Sequence, residues 1–171
     1  MLIPLALATG AAITLLHDPE QMTSCHDIDI LATSSCSVEG AKLKRLSARA
    51  HTMLNDPSIR YTPQVKRIKE RWSGTFAELK QTNVPAVSSG KKHIRLCLKS
   101  GDENAIFFVA IHELAHVATH SFGHTDEFWN NMSLLISGAR PAGVYGAHDD
   151  NSQVCGVKVG PEPPVSSGKK S

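Results

Sequence analysis

Within residues 104–121, NAIFFVAIHELAHVATHS, three side chains have the types and spacing of a metal site: His112, Glu113 and His116. On a helix the two histidines stand one turn apart on one face, with Cβ atoms about 5–6 Å apart. Both can therefore reach a single zinc ion at roughly 2.0–2.1 Å. Glu113 points about 100° away around the helix, beside such an ion, where its carboxylate can take a proton from metal-activated water. The surroundings add weight. Apart from His112, Glu113, His116, Thr119 and His120, the stretch is apolar on nearly every side, the pattern of a buried central helix. Two imidazoles and a carboxylate in such a helix are costly unless something pairs with them, and a divalent cation does so.

The HExxH pattern alone is a modest signal, so a third ligand matters. His120 lies eight residues beyond His112, an axial rise of about 12 Å, and one straight helix cannot bring it to the same ion. The chain must turn back. Gly123 is placed to end the helix in a left-handed cap, and His124 follows it directly, which makes His124 the expected third ligand. Glu127 is the rival, and His120 reads as a surface or supporting histidine. Three protein ligands leave a fourth position for water, the mark of a hydrolytic zinc site. Downstream, Tyr145 and His148 are the candidate donors to an oxyanion, and each also reads as structural. Thr125-Asp126 can cap a further helix to about residue 137. Its stripe Phe128, Trp129, Met132, Leu135 and Ile136 is expected to be core beneath the metal, with Gly138 and Pro141 ending it.

The elements that must position these residues are legible in outline. Residues 38–56 form an amphipathic helix with Leu43, Leu46, Ala50, Met53 and Leu54 in one stripe and Pro57 as its stop. A second helix runs from about Pro63 to Trp72, carrying Val65, Ile68 and Trp72 inward, with Gly74 beyond it. Residues 82–87, a turn at 88–91 and residues 93–98 read as a hairpin burying Ile94, Leu96 and Leu98. Asp102 or Asn104 caps the HExxH helix. The expected fold class is α+β: a small antiparallel sheet packed on that helix. The basic stretches KLKRLSAR and KRIKER read as solvated helix faces, with a phosphate-binding face as the alternative.

Length and composition bound the function. A chain of 171 residues suits one catalytic domain. The formal charge of +2 weighs against a dedicated nucleic-acid binder. The expected organisation is an apolar segment at 1–17, a linker at 18–37, the catalytic domain at 38–159 and a disordered tail at 160–171. Residues 2–16 carry no charge and have the length of a signal-peptide core, short for a bilayer span. A membrane anchor is the favoured expectation, with a cleaved signal or a packed helix as alternatives. The four cysteines include no CxxC pair, which disfavours a thiolate zinc site. Cys25 and Cys36 could pair in an oxidising compartment, and Cys97 reads as a small buried hydrophobe.

The succession HELAH, GH and FW (112–116, 123–124 and 128–129) resembles the WLM and SprT families of zinc metallopeptidases, over about residues 80–140. The resemblance implies a minimal zincin core, a Zn²⁺ ion on His112, His116 and His124, Glu113 as the catalytic base, and protein substrates. Seven residues separate His116 from His124, where the WLM pattern brings the third histidine closer, so the helix is expected to run on a further turn. The layout is also similar to small WLM-type proteins of large DNA viruses, with VAIHELAH, GHTDEFW and a late Cys155-Gly156. That implies a membrane or virion location. Relatives in these families cleave proteins crosslinked to DNA, a substrate implied by the resemblance and not by the weak charge. A zinc-keeping structural protein without turnover is the alternative from another class.

Overall fold

The structure, a computed structural model, describes residues 37–80 and 83–163. The apolar segment, the linker up to residue 36 and the Cys25–Cys36 pairing lie outside the described residues. Among the described residues no helix is long and apolar enough to cross a membrane.

Helix α1 (Val38–Leu54) starts where the Ser37 hydroxyl accepts the Gly40 N–H at 2.9 Å, satisfying one donor that a helix start leaves open. It buries Leu46, Ala50, Met53 and Leu54, with Leu43 at the margin of the core, as the stripe implies. Helix α2 (Pro63–Arg71) is capped by Thr62, begins with Pro63 and buries Val65 and Ile68, with Trp72 buried just after its end. Three basic residues of α1 are engaged within the chain: Lys42 with the Leu98 carbonyl, Arg45 with Glu103, and Arg49 with Asn104 and the Val144 carbonyl.

A three-stranded sheet in the order β1-β3-β2 combines β1 (Phe76–Glu78), β2 (Ala86–Ser89) and β3 (His93–Leu96). The β2–β3 hairpin is antiparallel, with Ser88 opposite Ile94, and it turns on Gly90 and Lys91, both at positive φ. It is shorter than the pattern suggests, since β2 begins only after Pro85. Strand β1 pairs with β3 in parallel, Phe76 opposite Ile94. The sheet is therefore mixed, which corrects the expectation of a purely antiparallel one. Three residues with no alternation give β1 no signal of its own. It forms because β3 offers a free ladder edge and the Ser47 hydroxyl accepts the Phe76 N–H at 3.1 Å.

Helix α3 (Glu103–Ala118) is the central element, capped by Asp102 and packed against α2, α4 and the β2–β3 hairpin. It does not run on to residue 121. Thr119 turns to extended backbone at φ −85° and ψ 140°, while its hydroxyl donates to the Ala115 carbonyl at 2.7 Å and accepts from Asn131 at 3.0 Å. The added turn is instead a longer return loop.

Helix α4 (Asp126–Ala139) is capped by Thr125 and packs across α3 and α1. Gly138 lies inside it and does not end it. A Cβ there would sit 2.3 Å from Ile59 Cδ1, so the glycine admits a close approach of the loop after α1. A small hairpin, β4 (Gln153–Val154) and β5 (Val157–Lys158), turns on Cys155 and Gly156, both at positive φ as a type I′ turn requires. Cys155 is disulfide-bonded to Cys97. Cys97 is buried as expected, but it is not a free thiol; its partner lies 58 positions away, beyond any sequence pattern. Residues 160–163 are also not a disordered tail, because Glu162 pairs with Tyr145 and Arg140. The fold class is α+β.

Candidate metal centre

His112 and His116 project from one face of α3, and the loop after Thr119 brings His124 back to them. The Nε2 atom of His112 lies 3.2 Å from Nε2 of His116 and 3.0 Å from Nε2 of His124. The three residues form a group whose ligand atoms all lie within 4.8 Å of one another. Hydrogen bonds alone do not satisfy this arrangement. A neutral imidazole Nε2 carries at most one proton, yet the His112 atom faces two other ring nitrogens. Charging the rings is disfavoured: burial first, then the positive charge of the neighbouring histidines, pulls His112 down to about 4, and His116 likewise. His112 and His116 thus stay neutral, with lone pairs available. Their spacing fits a tetrahedral ion, for which ligand distances of about 2.0–2.1 Å imply nitrogens about 3.3–3.4 Å apart.

Phe128 forms the floor. Its ring centroid lies 4.8, 4.3 and 4.7 Å from those of His112, His116 and His124, and the side chain is fully buried. Trp129 is not core: it is 41% exposed and stacks on the outer face of His124 at 5.7 Å.

Glu113 stands beside the cluster. Among the described residues no hydrogen bond or ion pair engages its carboxylate, and burial alone raises its affinity for a proton to about 7. With His112 it lines a cavity of about 180 Å³.

The return loop that carries His124 is held from three sides. Glu127 accepts the His120 N–H at 3.1 Å, His120 Nδ1 at 2.8 Å and the Ser121 hydroxyl at 3.3 Å. The backbone N–H of His120 is the largest cause holding the Glu127 carboxyl down to about 2. Glu127 thus fastens the loop and stands outside the histidine group, and His120 is its partner on the surface. Arg67 reaches the Ala118 carbonyl and lies 3.9 Å from Glu127. Lys91, from the β2–β3 turn, donates to the Thr119 carbonyl at 2.6 Å. Gly123, at φ +83°, supplies the left-handed step before His124, inside the loop and not at the helix end.

Tyr145 and His148 form a separate cluster. The Tyr145 hydroxyl donates to Glu162 at 2.7 Å and lies 2.9 Å from His148 Nδ1, and His148 Nε2 meets the Gly160 carbonyl at 3.1 Å. These contacts fasten the segment after β5 to the core. Sequence reasoning missed Arg67 and Lys91 as loop anchors, and it missed the wall formed by residues 157–160. Their partners are distant in the chain, so no local spacing marks them.

The fold and site define an α+β protein with a three-histidine group beside a carboxylate that no hydrogen bond or ion pair among the described residues engages. Comparison with known proteins adds kinship without an activity. The chain is 37% identical over 79 residues to protein 136R of Invertebrate iridescent virus 6, covering 41% of this chain and 44% of that protein. It is 39% identical over 61 residues to protein 042R of Invertebrate iridescent virus 3, covering 32% and 38%. The matches span less than half the length of either relative, and both relatives are described as uncharacterized. Both are viral proteins, which is consistent with a viral origin for this chain. No protein family and no solved structure matches it.

Proposed function

We propose that the protein is a zinc-dependent metallopeptidase that hydrolyses peptide bonds in protein substrates. The observation that carries this reading is the convergence of His112, His116 and His124 through Nε2 atoms 3.0 and 3.2 Å apart, beside a Glu113 carboxylate that no hydrogen bond or ion pair among the described residues engages. The three imidazoles would hold the ion. When bound there, zinc supplies Lewis acidity toward a peptide carbonyl and toward water. Glu113 takes the proton of the attacking water and delivers it to the amide nitrogen as the C–N bond breaks. A carboxyl whose proton affinity is raised by burial suits both halves of that transfer near neutral pH.

A purely structural zinc site closes its tetrahedron with a fourth protein donor; the group among the described residues offers three. An unpaired carboxylate has no purpose in such a site. The Tyr145 proton is directed to Glu162, so the oxyanion donor is not assigned. We place the protein at a membrane or in a viral particle through its apolar 2–16 stretch, an assignment that carbonate extraction of membranes tests. Action on proteins crosslinked to DNA receives no support from the charge of the chain.

The test is elemental analysis with two variants. The parent is expected to carry about one zinc per chain. His116→Ala loses the metal, while Glu113→Gln keeps it and loses proteolysis. Proteolysis by metal-loaded Glu113→Gln at the parent rate refutes the proposal.

A further inference from the structure

One exposed aromatic side chain is ordinary on a protein surface; the setting of Phe122 is not. Phe122 is 90% exposed and stands on the return loop two positions before His124. The base of that loop is tied down. Ser121 Oγ lies 3.0 Å from Thr125 Oγ1, Glu127 accepts from His120 and Ser121, and Lys91 donates to the Thr119 carbonyl. Outside its chain neighbours, a side chain at Gly123 would meet no atom of the described residues within 4 Å, so the tip stands clear of the domain. A second exposed aromatic, Trp129, is 41% exposed and stacks on His124 with ring centroids 5.7 Å apart.

The charges at the foot of this tip are cationic. The Lys91 ammonium lies 5.2 Å from the Phe122 ring centroid. Burial first, then the charges of Arg71 and Arg67, hold it below the usual lysine range, so three cations share this base. Lys92, next in the hairpin turn, is exposed as well. The acids of the region, Asp126 and Glu127, sit in the first turn of α4, and Glu127 is taken up by His120 and Ser121.

We propose that this face docks on an anionic bilayer surface: the Phe122 ring enters the boundary between headgroups and acyl chains, Trp129 rests in the headgroup layer, and Lys91, Lys92 and Arg71 meet the lipid charges. A projecting apolar ring with cations at its foot suits that partner, because a bilayer offers hydrocarbon just beneath a layer of negative charge. An aromatic that recognises a peptide side chain needs a cavity around it, which a tip clear of the domain does not supply. The docking is independent of the apolar 2–16 stretch and of the peptidase reading. To that reading it adds a substrate class, polypeptide lying close to a bilayer.

The test uses the full chain and its two tryptophans, Trp72 and Trp129. Trp72→Phe leaves Trp129 as the only emitter. Vesicles of phosphatidylcholine, with or without phosphatidylserine, carry brominated acyl chains that quench a tryptophan only at close range. Quenching of Trp129 is expected on the phosphatidylserine vesicles, and a titration at least about tenfold weaker without phosphatidylserine or in about 0.5 M salt. Phe122→Asp is expected to weaken that titration about tenfold or more, with metal content and thermal unfolding unchanged. An anchor through residues 2–16 alone binds vesicles and leaves Trp129 bright, a result that overturns the inference. Equal quenching on the two vesicles, or quenching that Phe122→Asp does not weaken, overturns it too. Binding of a single-stranded oligonucleotide with no response to vesicles assigns the face to nucleic acid and does the same. Should Trp72→Phe fail to fold, the difference in quenching between the parent and Trp129→Phe supplies the same reading.

Discussion

Acidification is expected to release metal from this protein far less readily than from a site built of ordinary imidazoles. An imidazole with a pKa near 6.5 is about 97% protonated at pH 5, so proton competition weakens its part in metal binding about 30-fold, and that of two such ligands about 1,000-fold. His112 and His116 are held near 4 in the metal-free protein. At pH 5 only about one-tenth of each is protonated, and the pair together costs about 1.2-fold in affinity. The sign follows from the physical cause. Burial disfavours the charged ring, so the neutral, ligating form persists until the pH falls through about 4. The assay is a Co²⁺ titration followed by visible absorption at pH 7, 6 and 5, in the Glu113→Gln background so that the neighbouring carboxyl does not add a proton. Between pH 6 and 5 the logarithm of the association constant is expected to fall by no more than about one unit. A fall of two to three units, as for three unperturbed imidazoles, refutes burial as the force that keeps His112 and His116 neutral.

Three further outcomes are expected. Glu127→Gln removes the charge that fastens residues 120 and 121, and metal affinity is expected to drop about 10–100-fold while helix content stays constant; unchanged affinity in the Co²⁺ titration counts against loop positioning. Replacing Cys97 and Cys155 by serine opens a cross-link spanning 58 positions, which loop-closure entropy values at about 4 kcal/mol. Urea unfolding of the double variant checks this, and a loss below about 1 kcal/mol refutes it. Gly138→Ala places a methyl group 2.3 Å from Ile59 Cδ1 and is expected to destabilise the protein by about 1–3 kcal/mol, with Ile59→Val in the same chain recovering part of the loss in thermal unfolding.

What the residue order determined by itself is the set of local choices. The stripe of α1, the capping positions at Asp102 and Thr125, the buried character of α3 and the pairing of His112 with His116 all follow from local patterns of three to four residues. His124 was also within reach, because a histidine behind a glycine tells where the chain turns. The place of that turn was not. A single hydroxyl, Thr119 on the Ala115 carbonyl, together with Arg67 and Lys91 from distant elements, ends α3 at Ala118 and shapes the loop. The parallel strand β1, the Cys97–Cys155 bond, the exposure of Trp129 and the wall beside Glu113 belong to the same class. Each is decided between groups tens of residues apart, where the favourable contact exists only once the core has brought them together, and no repeat in the chain encodes that meeting. The electrostatics are decided there too: the affinity of the carboxyl at position 113 for a proton rises to about 7 because the folded chain shields it from water.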